Sequence, residues 1–401
     1  MSTPTIAEVM ATPEFHQNPY PLYARLRDEQ PLYRSPHGVS YVSRYADVDK
    51  ALRDPRLSND RDRITRAMAA QQGDNQLMTR LMKKLGRVMT NTDPPDHARL
   101  RKLVNKAFSA GRTRDFRPQI QAITDRLLDA AEAAGRRMDL ITALAYPLTS
   151  SVICALVGVP GDGQARVLTW LRQLENPVDA GLTIEGTEQV VDDLHGYLYD
   201  LIHRRRAEPT DDVLSALVNV EEGGDRLGDD EIVSACFVLI GSGYETTMNL
   251  IANSVLMLLR HAEQLQLLRE KPELLLPAIE EVLRYESPSL QVIRVVAEPL
   301  EIAGCALEEG TMLSLLLGAA NHDPLRFPDA ERFDITRADT RHVSFGSGIH
   351  FCLGAPLARL EAAVAVGTLL RRFPDLRLDA EPVAWRPNPS LRGLSRLSVH
   401  C

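Results

Sequence analysis

The sequence predicts a mainly α protein with small β-sheets. Helical periodicity dominates from about Asp93 to Tyr285, strand-like pieces sit near both ends, and no Gly/Ser linker, repeat or low-complexity tract divides the 401 residues. A chain of this length has room for two domains. Strands at both termini around a helical middle nevertheless favour one mixed domain over residues 1–401 whose ends meet. Its β-rich parts are expected near 30–45, 290–318 and 375–401, and its helical core at 93–285 and 353–373.

In chain order, Gly38–Ser43 (GVSYVS) alternates as a strand does. The spacing then predicts helices over Gln119–Ala134, Val190–Arg206 and Asp229–Arg260, with Pro, Gly and Asp clusters between them. Strands are expected at Val292–Ile302, Met312–Leu317 and Leu394–Val399. Pro324–Thr340 (PLRFPDAERFDITRADT) has no period and reads as a meander. After it, a glycine-rich turn leads into APLARLEAAVAVGTLLRRF, a strongly helical stretch.

Composition narrows the function. A formal charge of −8 argues against nucleic acid as a bulk partner, because phosphate binding needs a basic face. The five cysteines, Cys154, Cys236, Cys305, Cys352 and Cys401, are scattered and lack CxxC spacing. That pattern suits reduced thiols in a cytosol, not a disulfide framework or a zinc site. MSTPTIAEVMATPEF has no basic region followed by an apolar core, so no signal peptide is expected. Ile141–Pro160 reaches the length of a membrane span, but Pro147, Thr149, Ser150 and Ser151 break it up. It reads as a buried helix, and no membrane is expected as a partner.

The most apolar run, IVSACFVLIGSGYETTMNLIANSVLMLL (232–259), carries Glu245 at its centre as its only charge. Three readings compete. In lipid a mid-depth carboxylate is costly. As a dinucleotide loop, FVLIGSGYET puts β-branched Thr246 where a third small residue is required, and no βαβ unit surrounds it. A buried helix explains more: Gly241, Ser242 and Gly243 leave room beside it, and the Thr246 hydroxyl can bond the Ser242 carbonyl and open the ladder.

Cys352 follows the turn Phe345-Gly-Ser-Gly-Ile-His-Phe and precedes the helical stretch. A cysteine near a helix N-terminus is favoured as a thiolate. Taken alone, it is a nucleophile, a metal ligand or a buried thiol.

The pattern FxxGxxxCxG, met by Phe345, Gly348, Cys352 and Gly354, resembles the haem-ligand loop of cytochrome P450 monooxygenases. Glu281 and Arg284 fit the family's ExxR pair, and SGYETT (242–247) fits its oxygen-activating helix. DPPDHARLR (93–101), ANHDPLRFPDAERFD (320–334) and LRGLSRL (391–397) are similar to bacterial members. The resemblance implies the triangular-prism P450 fold, with haem between a long distal helix and the helix after the Cys loop.

Residue by residue, it implies Cys352 as the proximal thiolate of haem b, with Phe345 packed over the sulfur. His97, Arg101, Arg294 and His350 match the propionate contacts. Gly354 lets backbone amides approach the sulfur, and Gly243 and Ser242 make the groove for dioxygen. Thr246 would hydrogen-bond the activated oxygen, and Glu245 would relay protons to it. Glu281 and Arg284 would form a buried ion pair locking the Cys loop, with Arg332 as third member. Ser242 stands where alanine or glycine is commoner, and Tyr244 where many bacterial members have histidine.

The pocket is expected from the Leu57–Val88 segment, Leu239, Ile240, Leu290, Val292, Ile293 and Leu391, which suits an apolar or amphipathic substrate. Arg53–Arg66 reads as a solvated loop. Electrons are expected from a ferredoxin and its NAD(P)H-dependent reductase, docking on exposed Arg99, Lys102, Lys106 and Arg112. The expected function is a soluble, cytoplasmic monooxygenase that uses O2 on a small molecule of secondary metabolism. A peroxide-using or aryl-coupling relative is one alternative, and a non-turnover haem sensor or carrier is the other.

Overall fold

A computed structural model describes residues 5–72, 80, 84, 87–108, 110–135, 137–175 and 180–401. The chain forms two compact units. One comprises Met1–Ser58, Arg117–Leu148 and Glu245–Cys401, and the other Asn59–Phe116 and Thr149–Tyr244.

The first unit holds the principal sheet, in the order Leu32–Arg34, Val39–Val42, Met312–Leu315, Val292–Val296, Leu57–Ser58. Only the Val39–Val42 and Met312–Leu315 pair is parallel. Its alternating side chains bury Val42, Leu313, Leu315 and Val296 against Val48, Leu52 and Val343. The expected strand Val292–Ile302 breaks after Val296, where Pro299 withholds a ladder donor, and Leu300–Ile302 pairs with Cys305–Leu307 instead. Met312–Leu317 likewise stops at Leu315, and Leu317–Asn321 is helical.

The chain ends meet, but not in a shared sheet. Ser398–His400 pairs with Arg137–Asp139 and Arg377–Leu378. It is Arg392 that ties the C-terminal segment to the N-terminal one, donating from Nη2 to the Gln17 carbonyl at 3.0 Å.

The helices fall close to their expected bounds: Arg117–Ala133, Ile184–Ala207 and Asp229–Arg260. Thr183 caps the second by accepting the Gly186 N–H at 3.0 Å. Asp229, Asp230 and Glu231 open the third, and Arg260 closes it, each sign suiting its end of the helix dipole. This long helix is unbroken through Gly241–Gly243. Within it the Ser242 hydroxyl bonds back to the Val238 carbonyl. The boundary between the units falls inside it, between Tyr244 and Glu245.

Among the described residues no single helix is long and apolar enough to cross a membrane. The one candidate pair, Ile141–Val157 with Gly161–Leu174, bends by 115°.

Candidate functional site

Cys352 lies in a loop built by two left-handed glycines, Gly346 (φ 70°) and Gly348 (φ 71°). At Gly348 a Cβ would come within 2.8 Å of the Leu52 carbonyl, so the loop can press there against the helix Tyr45–Arg53. The turn closes where the Cys352 N–H donates to the Phe345 carbonyl at 2.9 Å. The helix Ala355–Arg372 begins just beyond, with Gly354 as its cap. A Cβ on Gly354 would sit 3.9 Å from the sulfur, an ordinary contact. Cys352 is exposed, whereas burial pushes the thiols of Cys154 and Cys236 up to about 12. Those two are inert core thiols.

The loop is anchored from the helix Leu275–Tyr285 in two ways. The Ser344 hydroxyl donates to the Leu283 carbonyl at 2.6 Å and accepts from Asn321 Nδ2 at 2.8 Å. Glu280 binds Arg359 of the following helix, Nε to Oε1 at 2.5 Å, and lies 3.2 Å from His342. The Arg359 guanidinium in turn covers the Phe345 ring, 4.5 Å from its centroid. Burial raises the Glu280 pKa, but the bonds and charges of Arg359 and His342 outweigh it and hold it down at about 2. A depressed carboxylate stabilises the fold above its ordinary titration range, and that stabilisation disappears as pH falls toward the folded value. The thermal midpoints of the parent and Glu280→Gln should therefore differ at neutral pH and converge as pH falls from about 4.3 toward 2.

Glu281 and Arg284 are fully buried and joined by two bonds of 2.8 and 2.9 Å. The third charged member is Arg337, not Arg332. Arg337 Nε lies 3.2 Å from both Glu281 oxygens, whereas the Arg332 side chain is 66% exposed and reaches only Asp334 at 3.8 Å. Arg332 enters through its backbone: its carbonyl accepts from Arg284 and Arg337 at 3.2 and 3.0 Å. The two guanidinium groups also take the carbonyls of Pro328, Asp329 and Ala330. This satisfies the backbone of a meander that has no ladder of its own.

On the long helix Glu245 is 15% exposed, and its Oε1 accepts from Arg386 Nη1 at 2.8 Å. Arg386 Nη2 donates to Asn249, one turn on, at 2.6 Å. In the other unit, a Cβ on Gly243 would meet Ile153 at 2.9 Å, so this glycine lets the helix pack against Tyr146–Val157. Tyr244 is buried there.

A cytochrome P450 family model matches residues 62–383. Cytochrome P450 107B1 of Saccharopolyspora erythraea is 45% identical, over all of this chain and 99% of the relative. The chain belongs to the cytochrome P450 family. The 6-deoxyerythronolide B hydroxylase of the same organism is 38% identical over 96% of both chains. The solved structure of PksS, the P450 of the bacillaene polyketide synthase of Bacillus subtilis, superposes with a TM-score of 0.89 at 35% identity, covering 98% of each chain. The fold is thus that of the P450s, the enzyme is a haem-thiolate monooxygenase, and its cofactor is haem.

The donor set of this P450 fits that group. Cys352 offers an exposed sulfur on a turn fixed by backbone geometry. Arg294 places a cation on the inner strand Val292–Val296, and His350 ends the short turn before Cys352. His97 and Arg101 share a face of the helix Asp96–Ala107; burial, then the Arg101 charge, lowers the His97 pKa.

Of the pocket residues, the first unit brings Leu391 beside the 290–293 stretch through the bridge Ser289–Leu391. Leu290, expected in the pocket, is instead a core residue: it packs with Phe15, Tyr23 and Leu316. It precedes the strand and turns toward the N-terminal helices. Val292 and Ile293 are half-buried, Leu239 and Ile240 buried, and Ser242 exposed. Residues 73–79, 81–83 and 85–86 of the expected Leu57–Val88 segment lie outside the described residues. Arg53–Arg66 is not one loop, since Leu57–Ser58 is a strand and Arg61–Gln72 a helix.

Reading the sequence missed Glu280, Arg359, Arg337, Arg386 and Asn249. Glu280 adjoins the ExxR pair and Asn249 follows Glu245 by one helical turn, which are weak local signals. The others have none.

Proposed function

We propose that this P450 is a soluble, cytoplasmic, single-domain hydroxylase acting on an apolar or amphipathic secondary metabolite of polyketide type. Haem bound through Cys352 supplies the redox chemistry, RH + O2 + two electrons + two protons giving ROH + water. The observation that carries the reading is the adjacent acid and alcohol, Glu245 and Thr246, at the centre of the long helix, with the acid held by Arg386. Thr246 positions a hydroxyl donor, and Glu245 passes protons inward from solvent. A peroxide-using enzyme has no need of this pair, nor does a haem sensor. His97, Arg101, Arg294 and His350 hold the propionates, and the half-buried Val292, Ile293 and Leu391 contribute to the substrate wall. The family match crosses both units, in support of one functional domain.

Two relatives point to the substrate class: one is named for hydroxylating 6-deoxyerythronolide B, the other for a polyketide synthase. The test is a binding titration with 6-deoxyerythronolide B and a panel of macrolactones, watching the haem spin-state shift. NADH-driven product formation with a surrogate ferredoxin and reductase follows. A panel that neither shifts the spectrum nor is oxidised removes the polyketide reading. Thr246→Ala should keep binding while diverting most reducing equivalents to peroxide, a loss of about 10- to 100-fold in coupled product. Unchanged coupling would remove Thr246 from proton delivery.

Electrons come from a ferredoxin-type donor. The basic residues expected to receive it are internally paired: Arg99 with Asp225 and Glu231, Lys102 and Lys106 with Glu222, Arg112 with Asp211. They do not form a bare cationic patch. The exposed Ile349 and Phe351 flank the sulfur more closely in sequence and serve better as the contact.

A further inference from the structure

Arg386 belongs to none of the family motifs the chain displays, yet it is the residue that grips the relay acid. It follows the two-residue strand Ala384–Trp385, which pairs with Leu394–Arg396, so its backbone is set by that hairpin. Its own N–H donates to the Gly393 carbonyl at 2.9 Å. From there the guanidinium forks: Nη1 to Glu245 at 2.8 Å, Nη2 to Asn249 at 2.6 Å. The two acceptors lie four residues apart on one helix face, the spacing a planar fork can span.

Gly393 makes the fork possible. A Cβ there would collide with Asn249 Oδ1 and sit 2.6 Å from Arg386 Nη2. Asn249 is fully buried, so its side chain is held in place, while the Arg386 side chain is 31% exposed. The assembly thus has a rigid inner end and a solvent-facing outer end.

We propose that Arg386 is a positioning residue for proton delivery, clamping the Glu245 carboxylate against Asn249 in the orientation the relay needs. The inference rests on the reading of Glu245 as that relay. Arg386 engages Oε1 and leaves Oε2 outside the bond. A proton taken from solvent at the carboxylate is passed inward, and Arg386 neither gains nor loses one.

The test uses the haem-loaded enzyme with a surrogate ferredoxin system and measures peroxide released per NADH consumed, in H2O and D2O. Arg386→Gln should raise the peroxide share about threefold or more and enlarge the solvent isotope effect. Arg386→Lys, which keeps the cation but loses the fork, should restore only part of it. Thermal midpoints of Glu245→Gln, Arg386→Gln and the double variant supply a readout apart from turnover: the double should be no less stable than the worse single. The proposal is overturned if Arg386→Gln leaves both peroxide share and isotope effect at parental values while Glu245→Gln changes them. If Glu245→Gln itself changes neither, the relay reading falls, and this inference with it.

Discussion

Cys352→Ser abolishes turnover while leaving a folded protein. The expectation follows from where the residue sits. The turn is made by Gly346, Gly348 and the Cys352 N–H bond to the Phe345 carbonyl, none of which uses the sulfur. The side chain is exposed, so exchanging sulfur for oxygen opens no core cavity, and the apoprotein's stability should move by no more than about 0.5 kcal/mol. The chemistry changes completely. A serine hydroxyl is not deprotonated near neutral pH, and it cannot supply the electron density a thiolate pushes through the metal. The reduced, carbon monoxide-treated variant should lack the absorption of thiolate-ligated haem, and NADH-dependent product should fall to background. Parental turnover from the serine variant would remove Cys352 as the ligand.

Arg284→Ala or Glu281→Ala should cost about 3–5 kcal/mol, read as a lower urea midpoint. Both side chains are fully buried: removing Glu281 leaves Arg284 uncompensated, and removing Arg284 leaves Glu281 with Arg337 alone. The network is wider than a pair. Arg284 donates five hydrogen bonds, two to Glu281 and one each to the carbonyls of Asn321, Ala330 and Arg332. Lysine has only three donors and no fork, so Arg284→Lys should recover only part of the loss. Glu281→Ala should be the more severe, since it strands Arg337 as well. The control is Arg332→Ala. That side chain is 66% exposed and contributes a carbonyl the variant keeps, so its midpoint should stay within about 0.5 kcal/mol of the parent. Equal losses at 332 and 337 would restore the ordering read from sequence.

The misplaced arginine shows where reading the sequence runs out. Glu281 and Arg284 are three apart on one helix, and helical spacing alone puts them on one face. Their third partner comes from 56 residues away, in a meander without periodicity. Arg332 and Arg337 are equally plausible there by composition. Arg337 is selected because its guanidinium reaches the carbonyls of Pro328, Asp329 and Arg332 as well as buried Glu281, satisfying several acceptors at once. The basic segment 99–117 failed in a similar way: its charges were legible, and their carboxylate partners 99 to 132 residues on were not.

Local spacing was sufficient wherever the chemistry is local. The cysteine turn, the helix after it, the adjacent acid–alcohol pair and the bounds of the long helix all depend on residues within a few turns of one another. The sequence by itself therefore determined the family and the class of reaction. Only the tertiary structure decided what grips those residues: Arg337 on Glu281, Arg359 on Glu280 and over Phe345, and Arg386 on Glu245, 141 positions distant. A long, always-charged side chain takes whichever buried acceptors the packed backbone brings within its reach. No spacing along the chain encodes that distance.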